Sequence, residues 1–208
     1  MAHYFDKDPD TISDRRYIAY RQHGRDFRFV TDTDVFSRND VDKGTDILLK
    51  TSIADIKARG AKKGEKLLDL GCGYGVVGIV MKSVFVNFDV TQADINSRAV
   101  SLTKENCELN GIRTDKVLQS NVLQELSDDD LFDIVITNPP VRAGKKTVFE
   151  FYEQAYAHMK EGGSIYVVLQ RKQGAPSSEK KLNELFGNCE TLEIEGGYHI
   201  MRSVKEAI

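Results

Sequence analysis

Two short segments of this chain combine residue types that could do chemistry. The first, Leu67-Leu68-Asp69-Leu70-Gly71-Cys72-Gly73-Tyr74-Gly75, reads as a buried strand running into a glycine turn. Glycines there let the backbone approach a ligand closely and turn sharply into a helix. Their G-x-G-x-G spacing departs from the dinucleotide fingerprint G-x-G-x-x-G, which would need glycine where Val76 stands. A carboxylate at Asp69, two residues before the first glycine, suits a ligand carrying an ammonium or sulfonium charge and would repel a pyrophosphate. Asp94, just past the next expected strand, lies where a carboxylate can accept both ribose hydroxyls.

The second segment is Asn138-Pro139-Pro140, which stops the apolar strand Asp133-Ile134-Val135-Ile136-Thr137. Two prolines fix φ and remove two N–H donors, so the carbonyls are expected to point outward as rigid acceptors. Asn138 adds an amide oxygen. Such an elbow can accept both N–H bonds of an exocyclic amine while the nitrogen lone pair faces a methyl donor, with no ionised base needed to begin.

The elements that must position these residues follow from periodicity. Residues 17–30 read as a hairpin turning at His23-Gly24, and Gly44-Thr45 opens a helix with Thr45 as N-cap. From residue 66 strands and helices alternate. Strands are expected at 66–70, 86–91, 116–119, 132–137 and 164–170, and helices at 76–84, 97–109, 147–160 and 178–187. Asn96 caps the second of these helices and Asn110-Gly111 stops it. Helical crossovers of this length imply a parallel sheet covered on both faces. Strands 190–195 and 198–203, separated by Gly196-Gly197, must pair antiparallel. The fold class is therefore α/β: a doubly wound, mostly parallel seven-stranded, Rossmann-like sheet with a C-terminal antiparallel hairpin and a small N-terminal β-hairpin extension. Residues 1–43 form that extension and 44–208 the main domain.

Composition narrows the class. The 208 residues are 40% hydrophobic and 29% charged, with no apolar run long enough to span a bilayer. Residues 1–14 are polar and lack a signal-peptide core, so a cytoplasmic location is expected. Cys72, Cys107 and Cys189 are odd in number and widely spaced, and the four histidines lack ligand spacing, so neither a disulfide framework nor a metal site is expected. A net charge of −3 argues against a protein that grips nucleic acid over its whole surface, but it leaves room for a local basic patch.

The segments 68–75, Ala93-Asp94-Ile95-Asn96 and Thr137-Asn138-Pro139-Pro140 together resemble class I S-adenosylmethionine-dependent methyltransferases. Within that class the chain is similar to the small-domain enzymes of the RsmC group, which methylate guanine N2 in ribosomal RNA. Val35-Phe36-Ser37 and Asp42-Lys43-Gly44-Thr45-Asp46-Ile47-Leu48-Leu49 support the narrower likeness, which spans roughly residues 25–208. It does not extend to the additional N-terminal methyltransferase-like domain of the larger RsmC-type proteins. The resemblance implies S-adenosylmethionine as cofactor, with S-adenosylhomocysteine as product. Thr45, Asp69, Gly71, Cys72 and Gly73 would lie along the cofactor, with Asp69, Gly71 and Gly73 at its methionine end. Asp94 would bind the ribose, Ile95 would flank the adenine and Asn121 would meet the adenine amine. Asn138, Pro139 and Pro140 would be the catalytic elbow. Two departures stand out: Asn121 replaces a frequent aspartate, and Val141 replaces the Tyr or Phe that often stacks on the acceptor base. Stacking would then fall to Phe36, Phe149 or Tyr152, unless the acceptor is not a flat base.

Arg142 and Lys145, followed by Lys146, come directly after the elbow and could hold phosphates of an RNA substrate, or could simply be a solvated loop. The N-terminal hairpin interleaves Arg15, Arg16, Arg21, Arg25 and Arg28 with Tyr17, Tyr20 and Phe27. That pattern fits single-stranded RNA or a cover over the cofactor edge of the sheet. The expected reaction is methyl transfer to an exocyclic amine of an RNA base, with ribosomal RNA as partner. Alternatives are a protein glutamine or a small molecule as acceptor, or an inactive cofactor-binding module. The protein is expected to be a monomer or homodimer without membrane or metal partners.

Overall fold

The computed structural model describes residues 7–9 and 11–206, so part of the polar N-terminal stretch discussed above lies outside the described residues. A two-stranded hairpin, β1 (Arg16–Gln22) and β2 (Arg25–Thr31), precedes helix α1 (Lys43–Arg59). The body follows as β3 (Lys66–Leu70), α2 (Val76–Val84), β4 (Asp89–Asp94), α3 (Ser97–Leu109), β5 (Lys116–Gln119) and β6 (Phe132–Thr137). It ends with α4 (Lys145–Ala157), β7 (Met159–Gln170), α5 (Ala175–Phe186), β8 (Glu190–Glu195) and β9 (Tyr198–Val204). The seven-stranded sheet has the order β5-β4-β3-β6-β7-β9-β8. β9 pairs antiparallel with both β7 and β8, while the other neighbours are parallel.

Side-chain alternation sorts the strands onto two cores. Leu67, Ile134, Ile136, Tyr166 and Ile200 face α1, α2, α3 and the hairpin. Leu68, Val135, Ile165, Val167 and Met201 face α4 and α5. Each fully buried Leu or Ile contributes about 1.5–3 kcal/mol relative to exposure, so central strands with both faces covered hold their register firmly. The strand order reverses about β3: the chain runs outward through β4 and β5, then returns to β6 and β7 on the other side. Such a reversal opens a crevice at the carboxyl ends of the strands.

Several expected boundaries move. The strand expected at 86–91 is β4, shifted to Asp89–Asp94, because a turn with Phe85 and Phe88 stacked 4.7 Å apart separates it from α2. Asp94 is consequently the last residue of its strand rather than a residue beyond it. The helix expected at 147–160 runs Lys145–Ala157, and β7 begins at Met159, earlier than 164. Pro176 near the N-terminus of α5 starts that helix at Ala175 instead of 178. Thr45 does not cap α1. Asp42 does, its carboxylate accepting the Thr45 N–H at 3.0 Å.

Candidate active site

A cavity of about 520 Å³ lies at the carboxyl ends of β3, β4, β6 and β7, within the range of small-molecule sites. Its walls include Thr45, Asp69, Gly71, Cys72, Gly73, Asp94, Ile95, Asn121, Asn138, Pro139, Pro140 and Arg142, so the fold brings almost every candidate residue to one hollow. Lys145 is apart. It lines a smaller neighbouring depression, with its ammonium 5.1 Å from the centre of the Phe149 ring.

At one end the glycine turn is fastened from below. Gly75 has φ 95° and caps α2, and a Cβ there would meet Thr103 Cγ2 at 2.9 Å, so both conformation and space require glycine. The Thr103 hydroxyl donates to the Gly73 carbonyl at 2.9 Å, and the Asn106 amide donates to the Tyr74 carbonyl at 2.8 Å. Asn106 also exchanges two hydrogen bonds with the Val30 backbone, which ties the hairpin to this turn. Sequence inspection missed these α3 residues. Their signal is a polar pair three apart on an otherwise apolar helix face.

Asp69 is buried. Its Oδ2 accepts the Gly78 N–H at 2.8 Å and the Gln92 amide at 3.4 Å, leaving Oδ1 for whatever enters the cavity. Burial pushes its carboxyl up to about 7. The Gly78 and Gln92 donors oppose that rise, and the charge of Asp94 adds to it. Asp94 is half-buried. Its Oδ2 accepts the Gly73 N–H at 2.8 Å and its Oδ1 the Asn96 N–H at 2.9 Å, so the carboxylate already holds the turn it adjoins. Desolvation raises its carboxyl too, against those backbone donors. Burial likewise holds the Cys72 thiol well above its usual range, which makes it a lining group rather than a nucleophile. In the loop after β5, Asn121 is exposed and Val122 takes φ 53°, a strained conformation for a β-branched residue at the cavity wall.

The other end is the elbow. Pro140, at φ −75° and ψ 78°, closes an inverse γ-turn in which the Val141 N–H donates to the Pro139 carbonyl at 2.8 Å. That carbonyl is therefore not the open acceptor expected from two prolines, and it keeps only one lone pair for a ligand. Asn138 is held by residues of α1 and its cap. Its Nδ2 donates to Asp42 Oδ2 at 3.1 Å and to Thr45 Oγ1 at 3.0 Å. Gly44 lies between those two partners, and a Cβ there would meet the Tyr198 ring at 2.7 Å and Asp42 Oδ2 at 2.9 Å. The Asp42-Lys43-Gly44-Thr45 segment thus supplies a cap, a seat for Tyr198 and two partners for Asn138.

Of the three aromatics expected to stack on an acceptor, only Phe36 lines this cavity. Tyr152 is fully buried with its hydroxyl on Ser178 at 3.0 Å, and Phe149 lies in the neighbouring depression. Tyr198, which periodicity marks only as the start of a hairpin strand, also lines it. Around the mouth, exposed Arg142 and Lys146 are joined by exposed Arg171 and Lys172. The latter two follow β7 between the lining residues Gln170 and Gln173. On the N-terminal hairpin, Arg15 is paired with Glu105, Arg16 donates to Asn39 at 2.9 Å and Arg21 meets Asp26 at 3.1 Å. Among the described residues no cluster of His, Cys, Asp and Glu could hold a metal, and no helix is long and apolar enough to cross a membrane.

Known proteins match this arrangement. The family model described as the methyltransferase small domain matches residues 26–202. The YbxB protein of Bacillus subtilis is 37% identical over 203 residues, 98% of each chain. Ribosomal RNA small subunit methyltransferase C of Cronobacter sakazakii is 33% identical over 174 residues, covering 82% of this chain and 47% of that protein. The structure of a T. thermophilus 16S rRNA N2 methyltransferase, RsmC, in complex with AdoMet and guanosine superposes with a TM-score of 0.83 at 26% identity. The match covers 92% of this chain and 51% of that one. The chain therefore spans about half the length of these ribosomal RNA methyltransferases.

Proposed function

Because the chain belongs to the methyltransferase small-domain family of S-adenosylmethionine-dependent enzymes, we propose that it methylates an exocyclic amine of a base in ribosomal RNA, with guanine N2 as the favoured acceptor. The observation that carries this reading is the Asn138 amide at the end of β6. Its nitrogen is turned toward Asp42 and Thr45, and its oxygen is left to the cavity that Asp69, Gly73 and Asp94 share. A neutral acceptor suits an uncharged amine, which needs its N–H bonds held and its lone pair aimed rather than a proton removed first.

The cavity fits the cofactor by size and donor set. Asp69 Oδ1 would take its ammonium group, Gly71 and Gly73 would flank its methionine end, and Asp94 would meet the ribose. Ile95 and Asn121 would border the adenine. When bound, S-adenosylmethionine supplies an electrophilic methyl group on a sulfonium. Asn138 Oδ1 and the remaining lone pair of the Pro139 carbonyl would each accept one amine N–H. Phe36 and Tyr198 offer apolar ring surface to a flat acceptor. Arg142 and Lys145 would contact RNA phosphates, and exposed Arg171 and Lys172 extend the same basic rim. We place the protein in the cytoplasm with its RNA substrate.

The test is methyl transfer from isotope-labelled S-adenosylmethionine to small ribosomal subunits and to naked ribosomal RNA, followed by nucleoside mass spectrometry. Label in N2-methylguanosine is the expected result. Label confined to protein glutamine or to small molecules would replace the RNA reading. Cofactor binding with no label in any pool would favour an inactive module.

A further inference from the structure

We propose that Asp42 is the positioning residue that decides which end of the Asn138 amide faces the acceptor. This inference rests on the methyl-transfer reading and deepens it. An amide presents a donor at one end and an acceptor at the other, and the two ends are nearly equal in shape. Only its surroundings can select the orientation in which oxygen meets an incoming amine. Thr45 cannot do so, since a hydroxyl accepts from Nδ2 at 3.0 Å or donates to an amide oxygen equally well. The Asp42 carboxylate can. When ionised it only accepts, and its Oδ2 lies 3.1 Å from Asn138 Nδ2.

Turning the amide over would set two oxygens against each other at that distance and would aim a donor at the N–H bonds of the substrate. The same Oδ2 accepts the Thr45 N–H at 3.0 Å, so the helix N-cap and the amide lock share one atom. Gly44 protects that atom, because a Cβ there would come within 2.9 Å of it. The lock spans 96 residues of sequence, and nothing in the Asn138-Pro139-Pro140 segment alone supplies it.

Capping and positioning separate in two variants. Serine caps a helix as well as aspartate does but is one bond shorter, so Asp42→Ser keeps the cap and loses reach to Asn138. Asparagine can turn its carbonyl oxygen to the place of Oδ2, so Asp42→Asn keeps both hydrogen bonds. Single-turnover methyl transfer, cofactor affinity and melting temperature are measured on wild type and both variants. Asp42→Ser is expected to slow the chemical step roughly 10–100-fold, the scale for losing a group that orients a reacting residue. Cofactor affinity and melting temperature should stay near wild type, and Asp42→Asn should restore the rate. An Asp42→Ser rate equal to wild type, or an Asp42→Asn rate as slow as Asp42→Ser, would overturn the proposal while leaving methyl transfer intact. A wild type that methylates nothing would count against the functional reading instead. The Asn138 side-chain amide resonances, assigned by their loss in Asn138→Ala, then decide the orientation. Slow hydrogen exchange in wild type, becoming fast in Asp42→Ser, is expected, and identical exchange in the two proteins would sink the lock.

Discussion

At the glycine-turn end of the cavity, both carboxylates accept backbone N–H groups, whereas at the Asn138 end the amide is held, among the described residues, only by side chains of a distant helix and its cap. Asp94 is fixed by the N–H groups of Gly73 and Asn96, and Asp69 by that of Gly78 with the Gln92 amide beside it. Asn138 depends on Asp42 and Thr45, which lie 96 and 93 residues away in the chain. The first end is built by a strand–turn–helix unit and the next strand and helix, α3 bracing the turn through Thr103 and Asn106. The second exists only once α1 has docked against the sheet. Backbone donors keep their place when a side chain is changed, while a chain of side-chain hydrogen bonds fails at any link. The two carboxylates of the cofactor end should therefore keep their place when neighbouring side chains change, and the orientation of the Asn138 amide should be brittle.

The largest effect expected from that contrast is on the chemical step. Asn138→Ala should lower single-turnover methyl transfer by roughly two to three orders of magnitude, the usual cost of deleting one preorganised polar partner in a transition state. Cofactor affinity should barely change in calorimetry. A mutant as fast as wild type would reduce Asn138 to a strand terminator and erase the distinction between the two ends.

At the other end, Asp94→Ala should weaken cofactor binding by about 1.5–3 kcal/mol, the scale of charge-assisted hydrogen bonds. Its effect on the rate at saturating cofactor should be small. Calorimetry showing unchanged affinity would remove Asp94 from the ribose and confine it to bracing Gly73.

A pH series sharpens the comparison further. Asp69 carries a carboxyl raised from 3.8 to about 7, so the folded chain holds this proton more tightly than the unfolded chain does. Its contribution to the stability of the ligand-free protein is full below pH 3.8 and is lost as pH rises through about 7. Affinity for a cationic cofactor should move the opposite way, rising as Asp69 ionises. Asp69→Asn should flatten both trends where they owe to this residue, which thermal melts and binding titrations across that interval would record. Parallel pH profiles for wild type and Asp69→Asn would show that its proton is not involved.

The smallest effect concerns the rim. Replacing Arg142, Lys145 and Lys146 with Ala should shallow the salt dependence of RNA binding by roughly 0.7 in log–log slope for each phosphate no longer neutralised. Cofactor affinity should not change. An unaltered slope would return these residues to solvent.

Much of this architecture was legible because its signals are local. The bounds of β3, β5 and β6 follow from short apolar runs ended by turn residues, and α2 and α3 from glycine and Asn96 signals at their starts. The strand after α2 was misplaced because Val84 to Val90 is largely apolar throughout. Periodicity there cannot say where a helix ends and a strand begins. Thr45 looked like a cap because it precedes the apolar spacing of α1, yet Asp42 lies one turn earlier with its carboxylate on the Thr45 N–H.

The sequence by itself determined which segments are strands, the glycine turn, a carboxylate near the end of each of two strands and the elbow after β6. Each of these arises from residues close together in the chain, where backbone sterics and strand alternation act directly. Only the folded structure decided that Pro139 shares its carbonyl with Val141, that Tyr198 rather than Tyr152 or Phe149 reaches the cavity, and that Asp42 grips the Asn138 amide. The latter two depend on how α1, β9 and the elbow meet across the sheet. The first depends on a backbone angle at Pro140 that residue types alone leave open.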